Sequence, residues 1–221
     1  KVHQKILDTK KRKKTPILVG GTGLYFKAVV EGLIKIPNIP IKFREKIRSL
    51  HKKLGTKKFF LKLIKLDPLS KIKINPSDTQ RAIRAYEIKL FTKKSMYDWF
   101  KETNSTYEQN SFYKIYINFP RNELLVRIND RVQKMIKKGA ILEVKKFLEL
   151  KVPKNKSANK AIGIDEIRQY LNKKIQIGQV IEKISIKTRQ YAKRQMTWAR
   201  GHMINWKKIK SNRLDNFLKK I

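Results

Sequence analysis

The chain has 221 residues, 40% of them hydrophobic, enough for one large domain or for a core with a smaller domain beside it. It contains no cysteine, which excludes disulfides and thiolate metal sites and fits a reducing cytoplasm, and no apolar run approaches the roughly 20 residues that span a bilayer. The net charge of +38 favours a polyanionic partner, but an AT-rich genome also enriches lysine, so the retained arginines carry more weight.

The most informative segment near the start of the chain has the pattern of a strand, a glycine turn and a helix. Residues 16–19 (PILV) predict a short buried strand, residues 20–23 (GGTG) a tight turn, and residues 23–32 a helix. Backbone N–H groups at such a helix N-terminus bind anions, and Thr22 adds a hydroxyl group there. The pattern predicts a phosphate site, and the alternative, glycines that only permit a sharp turn, stays open. No G-x-x-x-x-G-K-[ST] string occurs, so this is not a Walker A loop.

Helical patterns dominate the rest of the chain. After a linker that contains Pro37 and Pro40, apolar periodicity and capping signals predict eight helices up to residue 200, the first two separated by Gly55, and a terminal helix follows residue 209. Their predicted ranges are 41–54, 57–66, 78–91, 95–101, 121–137, 140–150, 161–172 and 178–200.

Two further segments predict strands and complete the expected architecture. Residues 112–118 alternate in character and are rich in aromatic and branched side chains, and residues 203–209 show a weaker pattern. This order predicts an α/β core interrupted by a helical insertion. The chain begins at Lys1 within a basic helical segment, so we expect it to be the C-terminal part of a longer protein. The predicted domain ranges are 1–35 for part of the core, 36–110 for the insertion, and 111–221 for the remainder of the core.

The first of three arginine-bearing helices is predicted at 78–91. Arg81 and Arg84 are three residues apart and therefore share a helix face beside Gln80, with Asp78 at the helix start. One interpretation is a cationic binding surface. The alternative is an ordinary solvated helix whose core-facing residues are Ala82, Ala85, Tyr86 and Ile88.

The second is predicted at 121–137, directly after a strand. Arg127 and Arg131 are four residues apart on one face and can clamp a phosphate or pyrophosphate. In the alternative, Arg131 is exposed and paired with Asp130 or Glu123. The expected buried side consists of Leu124, Leu125, Ile128, Val132 and Met135.

The third arginine-bearing helix, in residues 186–200, is the richest of the three in cationic and aromatic side chains. Cations and aromatic rings alternate along it: Arg189, Tyr191, Lys193, Arg194, Trp198 and Arg200. Such a helix suits an RNA backbone with a base or ribose to stack on. A basic helix that packs its rings against its own core is the alternative.

Five segments in this order and spacing resemble the tRNA dimethylallyltransferase (tRNA isopentenyltransferase) family. They are PILVGGTGLYFKAVVEGL, NPSDTQRAIRAYEI, RINDRVQKMIKKG, KAIGIDEIRQYL and KTRQYAKRQMTWAR, and the resemblance extends over essentially the whole chain. The resemblance implies a P-loop NTPase-like parallel sheet core with an inserted α-helical domain. It also implies transfer of a dimethylallyl group from dimethylallyl diphosphate to the exocyclic amine of the adenosine just 3′ of a tRNA anticodon. The family flips this base into a channel.

The resemblance also implies individual roles. Thr22 would face the reacting centre and Arg127 would approach the diphosphate as catalytic residues. The implied substrate-binding residues are Gly20, Gly21, Gly23 and Arg131, and the implied tRNA-binding residues are Gln80, Arg81, Ala82, Ile83, Arg84, Lys160, Gly163, Arg189, Gln190, Lys193 and Arg194. The family usually has Gly-Tyr where this chain has Gly163-Ile164, so an aromatic contact is missing there.

Two family motifs do not occur in these 221 residues: a P-loop ending in Gly-Lys-Ser/Thr, and a D-S-x-Q-x-Y segment whose Asp serves as the general base. Both would precede Lys1, and we expect the ligands of the assisting Mg²⁺ there too, with no metal site in the chain itself. We therefore expect the 221 residues alone to be inactive.

The implied partners are a tRNA anticodon stem-loop and dimethylallyl diphosphate, with no membrane partner, and we expect a cytoplasmic monomer. Two other functions stay open at this point. One is an RNA-binding module without chemistry, for which charge and helix pattern suffice. The other is a nucleotide-dependent phosphotransferase on a kinase-like fold.

Overall fold

The computed structural model describes residues 1–153 and 156–219. They form a mostly helical α/β chain with one small parallel sheet, and they divide into two compact units. The first unit comprises Lys1–Leu18 and Leu24–Phe112, and the second comprises Val19–Gly23 and Tyr113–Ile221.

Helices make up most of the N-terminal half of the chain. They are α1 (Val2–Lys11), α2 (Gly23–Val30), α3 (Ile41–Leu66), α4 (Ser70–Lys73), α5 (Thr79–Thr92) and α6 (Met96–Lys101), followed by a short 3-10 helix at Gln109–Ser111. Helix α3 is kinked at Gly55, whose φ of 72° lies in the left-handed region, so the predicted break at this residue is confirmed.

The core of the first unit lies between α3 and α5. Phe59 and Leu63 of α3 and Ala85 and Ile88 of α5 are fully buried. Burial of each large apolar side chain contributes about 1.5–3 kcal/mol, which fixes the face that α5 turns to the core. The opposite face of α5 is therefore left for polar contacts.

The second unit combines the sheet with the remaining helices. Strands β1 (Ile115–Asn118) and β2 (Lys207–Lys210) pair in parallel, with Ile115 opposite Lys207. The chain between them and after them forms α7 (Arg121–Lys137), α8 (Ala140–Glu149), α9 (Ile164–Leu171), α10 (Ile177–His202) and α11 (Leu214–Leu218), with 3-10 helices at Ser157–Lys160 and Ser211–Arg213.

The core of this unit is built from one face of each of four helices. Val132 of α7, Val144 of α8, Ile167 of α9, and Val180 and Ile184 of α10 are buried together. Of these faces the sequence predicts that of α7: its expected residues Ile128 and Val132 are buried, and Leu124, Leu125 and Met135 are half-buried. The exposed face of α7 carries its arginines.

The predicted strand at 16–19 is wrong. Within the described residues the two strands pair with each other, and none pairs with this segment, which has no regular secondary structure. Ile17 and Val19 are 80% and 91% exposed, so the segment is not buried either. An apolar run becomes a strand only when a neighbouring strand accepts its backbone hydrogen bonds.

Helix α2 follows the glycine turn as predicted, beginning at Gly23.

Among the residues the structure describes, no helix combines the length and apolar character needed to cross a membrane.

Candidate functional site

The GGTG turn lies against the C-terminal part of α10. The side-chain amide of Gln195 donates a 2.7 Å hydrogen bond to the carbonyl oxygen of Gly21. A Cβ atom on Gly21 would lie 2.4 Å from Gln195 Nε2, and one on Gly23 would lie 2.0 Å from Trp198 Cε3. Neither glycine has a positive φ, so it is close approach to the rigid Trp198 ring, not a turn conformation, that requires glycine at position 23. At position 21 the neighbouring atom is the end of the flexible Gln195 side chain, which can move.

Aromatic rings and cations mark the same end of α10. The rings of Trp198 and His202 stack at 4.3 Å with an interplanar angle of 3°. The guanidinium of Arg194 lies 5.6 Å from the centroid of the Tyr191 ring. Trp198 therefore contacts the turn on one side and stacks on a partly polar ring on the other, while Tyr191 is exposed. Sequence analysis singled out Trp198 but missed His202, which lies one helical turn further along.

The cationic residues predicted on α10 lie mostly in solvent. Gln190, Lys193 and Arg194 are exposed, and Arg189 is half-buried. Within the described residues none of these cations takes part in an ion pair with a carboxylate. Their charge is therefore available to a polyanion.

A groove of about 660 Å³ runs along the exposed face of α7. The Arg127 guanidinium lies over the Phe119 ring, 4.8 Å from its centroid, which holds the arginine at one end of this groove. Four cations line the groove at helical spacing: Arg127, Arg131, Lys134 and Lys138. The i, i+4, i+7, i+11 spacing of these four could have identified the two lysines in the sequence, whereas Phe119 gave no such signal.

The ion-pair alternative for α7 is not realised in the described part of the chain. Arg131 forms no salt bridge there, and the Glu123 carboxylate instead accepts a 3.4 Å hydrogen bond from the Ser211 hydroxyl. Asp130 lines the same groove. Both arginines are exposed, which leaves them free to bind an anion.

Helix α5 divides its predicted tRNA-binding residues between core and surface. Gln80 and Arg81 are exposed, and Asp78 caps the helix by accepting a 3.1 Å hydrogen bond from the Arg81 backbone. Ala82 is 2% exposed and its side chain is not accessible to RNA, while Ile83 is half-buried against the same core. The packing alternative is confirmed for all four residues expected in the core: Ala82, Ala85, Tyr86 and Ile88.

Arg84 also points away from the apolar core but is paired. Its Nη1 atom lies 3.3 Å from Oε2 of Glu87, a carboxylate that is 1% exposed, and the Arg84 side chain remains 40% exposed. This arginine therefore has a structural partner as well as a solvent-facing part.

The segment that precedes α9 is tied to α10 through a buried carboxylate. Gly163, with φ of 107°, donates its backbone N–H to Glu166 at 3.0 Å. The Glu166 carboxylate, 2% exposed, also accepts from Lys187 of α10. This hydrogen bond raises the pKa of Lys187 above its ordinary value of 10.5, although partial burial opposes the shift. Of the two residues predicted to bind tRNA here, Lys160 is exposed and Gly163 is buried.

The described residues do not by themselves supply a metal cage. They contain no group of three or more His, Cys, Asp or Glu side chains placed to hold a metal ion. Mg²⁺ at a diphosphate is normally held by substrate oxygens and one or two carboxylates.

The family model described as IPP transferase matches residues 1–202. The chain is 55% identical over 99% of its length to a tRNA dimethylallyltransferase of Pelagibacter ubique and covers 70% of that protein. It is 40% identical over 90% of its length to a tRNA dimethylallyltransferase of Rickettsia massiliae and covers 55% of that protein.

One solved structure adds a three-dimensional comparison. It is a eukaryotic dimethylallyltransferase described as acting on tRNA, with 28% identity, a TM-score of 0.69, and coverage of 90% of this chain and 50% of that one. The sequence match extends through α10. The chain belongs to the IPP transferase family.

Proposed function

We propose that this chain serves tRNA prenylation, the transfer of a dimethylallyl group from dimethylallyl diphosphate to the exocyclic amine of the adenosine just 3′ of a tRNA anticodon. The observation that carries the proposal is 55% identity over 99% of the chain to a protein named tRNA dimethylallyltransferase. The exposed cations of α7 and α10 supply two anionic-ligand surfaces, as a diphosphate and an RNA require.

The reaction forms one bond and breaks one. The adenine amine attacks the allylic carbon, a C–N bond forms, the C–O bond to diphosphate breaks, and its electron pair stays on the diphosphate oxygen. Cations positioned at that oxygen stabilise the charge that develops on it. We assign this role to Arg127, supported by its position over Phe119 at the α7 groove, with Arg131 one helical turn away.

The attacking nitrogen must lose a proton once the new bond forms. We assign no residue of these 221 as the base, because the D-S-x-Q-x-Y string that would carry it does not occur in them. The hydroxyl of Thr22, half-buried in the GGTG turn, is proposed to orient the reacting groups. The contacts of Gly21 and Gly23 with α10 support this, because they fix the backbone on both sides of Thr22.

We further propose that tRNA is bound by two cationic surfaces, one in each unit. Gln80 and Arg81 on α5 belong to the first, and the exposed residues of α10 from Gln190 to Arg194 belong to the second. Their exposure and their arginines support phosphate contacts. A P-loop NTPase-like core, Mg²⁺ bound through the diphosphate, a cytoplasmic location and a monomeric state complete the proposal.

Binding measurements separate this function from the two alternatives. The chain is titrated with an anticodon stem-loop RNA, with a hairpin of the same stem and an unrelated loop, and with single nucleotides. We expect tightest binding to the anticodon stem-loop, with a slope of log affinity against log salt of roughly −5 to −9 for six to ten phosphate contacts. Equal binding of both hairpins would leave an RNA-binding module without this specificity, and preference for a nucleotide would favour a phosphotransferase.

A further inference from the structure

A buried carboxylate in the first unit holds two arginines from different helices. Glu87 of α5 is 1% exposed, and its Oε2 atom lies 3.2 Å from Arg44 Nε and 3.3 Å from Arg84 Nη1. Arg44 belongs to α3 and lies 43 residues earlier in the chain. Because both nitrogens contact one oxygen, the two guanidinium groups are close neighbours.

The outer parts of both arginines face solvent. Their side chains are 39% and 40% exposed, and each guanidinium uses one N–H of its five on Glu87. Two positive charges against one negative leave a local excess of one positive charge. Glu87 therefore compensates much of the repulsion between Arg44 and Arg84 while leaving most of their donors free.

Neutralising the charge of Glu87 does not by itself explain why two arginines contact it. One arginine would balance the charge, and two would be expected to use both carboxylate oxygens. Instead both contact Oε2, and Oε1 is buried without a hydrogen-bond partner among the described residues. A buried acceptor left unpaired is costly, so the position of the second arginine is better explained by what its outer side binds.

We infer that Arg44 and Arg84 form one phosphate-binding pair for the RNA backbone, and that Glu87 is the positioning residue that holds them together. The inference rests on the proposed function, which makes RNA the ligand. Arg81 lies one turn before Arg84 on α5; its Nε atom is paired with Asp78 Oδ2 at 3.4 Å, and its side chain is 71% exposed. Guanidinium groups bind phosphate through two parallel N–H bonds, which lysine cannot do, and this chain keeps only 13 arginines beside 42 lysines.

The test measures binding of the anticodon stem-loop over a range of salt concentrations, together with thermal unfolding of each variant. Arg44→Gln should weaken binding about tenfold, as for loss of a charge-assisted hydrogen bond, and should make the salt slope shallower by about 0.7–0.9. Lys46→Gln is the matched control, because it removes the same charge from α3 on a side chain about 200° around the helix. We expect it to change affinity less than about twofold, as for a distant screened charge, with no change in slope.

Glu87→Gln tests whether Glu87 positions the two arginines or only contributes to the total charge, because the two roles predict opposite changes in RNA affinity. Removing a negative charge from a protein of net charge +38 should strengthen RNA binding if only total charge matters. Loss of positioning should instead weaken binding about three- to tenfold and make the slope shallower. If Glu87→Gln does not unfold cooperatively, Arg84→Lys takes its place, since it keeps the charge and loses the planar fork; it should weaken binding by a similar factor.

The outcomes separate failure of the phosphate-binding pair from failure of the proposed function. Equal effects of Arg44→Gln and Lys46→Gln, or tighter binding by Glu87→Gln, would overturn the phosphate-binding pair and leave the proposed function intact. A wild-type chain that binds both hairpins equally would instead refute the proposed function, while the comparison of Arg44→Gln with Lys46→Gln would still decide whether the pair binds phosphate, because phosphate contacts carry no sequence information.

Discussion

Replacing Gly23 with alanine is expected to destabilise the second unit through one contact. A Cβ atom there would lie 2.0 Å from Cε3 and 2.1 Å from Cζ3 of Trp198, closer than real Cβ atoms come to any neighbour. Moving the indole away would disturb its stack on His202. Overpacking of this kind costs about 1–3 kcal/mol, which for a chain of this size lowers the melting temperature by roughly 2–12 °C.

Gly201→Ala is the matched control for this change. Gly201 lies in the last turn of α10, the helix that carries Trp198, and a Cβ atom added to it meets nothing within 4 Å. Alanine there should be neutral or stabilising by up to about 1 kcal/mol, since glycine costs a helix conformational entropy. The two variants are therefore predicted to shift the melting temperature in opposite directions or by clearly different amounts.

Thermal unfolding followed by circular dichroism and tryptophan fluorescence measures both variants. Gly23→Ala should also weaken binding of the anticodon stem-loop, because the turn and α10 would no longer pack as they do. If Gly23→Ala unfolds at the same temperature as Gly201→Ala and the wild type, the close approach of the turn to Trp198 is refuted, together with the reason given for glycine at this position.

Three further predictions concern the Lys187–Glu166 ion pair, pyrophosphate binding by Arg127 and product formation by the chain. Lys187→Met leaves the buried Glu166 carboxylate with the Gly163 N–H as its hydrogen-bond donor and should cost about 1–3 kcal/mol in urea unfolding. The pKa of Lys187 is raised in the folded state, so its contribution to the free energy of unfolding is fully present below the ordinary value of 10.5 and is lost as the pH rises beyond it. A difference in the free energy of unfolding between wild type and variant that grows at high pH would contradict this. Arg127→Gln should weaken calorimetric binding of inorganic pyrophosphate about tenfold, whereas Arg121→Gln at the exposed start of α7 should not, and equal losses would argue against a specific role. The 221 residues alone should form little isopentenyl-adenosine, since loss of a general base costs ~10²–10⁴-fold, and robust product by mass spectrometry of incubated tRNA would refute this.

Local sequence signals predict most of the helices, together with the buried faces of α5 and α7. Helix α10 was expected at 178–200 and spans Ile177–His202, because its apolar residues recur at helical spacing. The start of α5 was predicted from Asp78, whose side chain does cap the helix. In both cases the deciding interactions lie within one or two turns of the chain.

Features that depend on distant partners could not be predicted in the same way. The apolar run at 16–19 has the composition of a strand, but strand formation depends on a neighbour, and Val19 is 91% exposed. The spacing of Arg84 and Glu87 suggests an ion pair within α5, but Arg44 lies 43 residues away, and nothing local indicates that it joins them. The contact between Gly23 and Trp198 is likewise visible only in three dimensions.

Salt-dependent binding of the anticodon stem-loop tests the central claim most directly. The account predicts that the chain prefers this RNA over a hairpin of the same stem with an unrelated loop, with a slope of log affinity against log salt of roughly −5 to −9. It also predicts that replacing the adenosine 3′ of the anticodon lowers the affinity. Indifference to the loop, or a salt slope near zero, would contradict the assignment of this chain to tRNA prenylation.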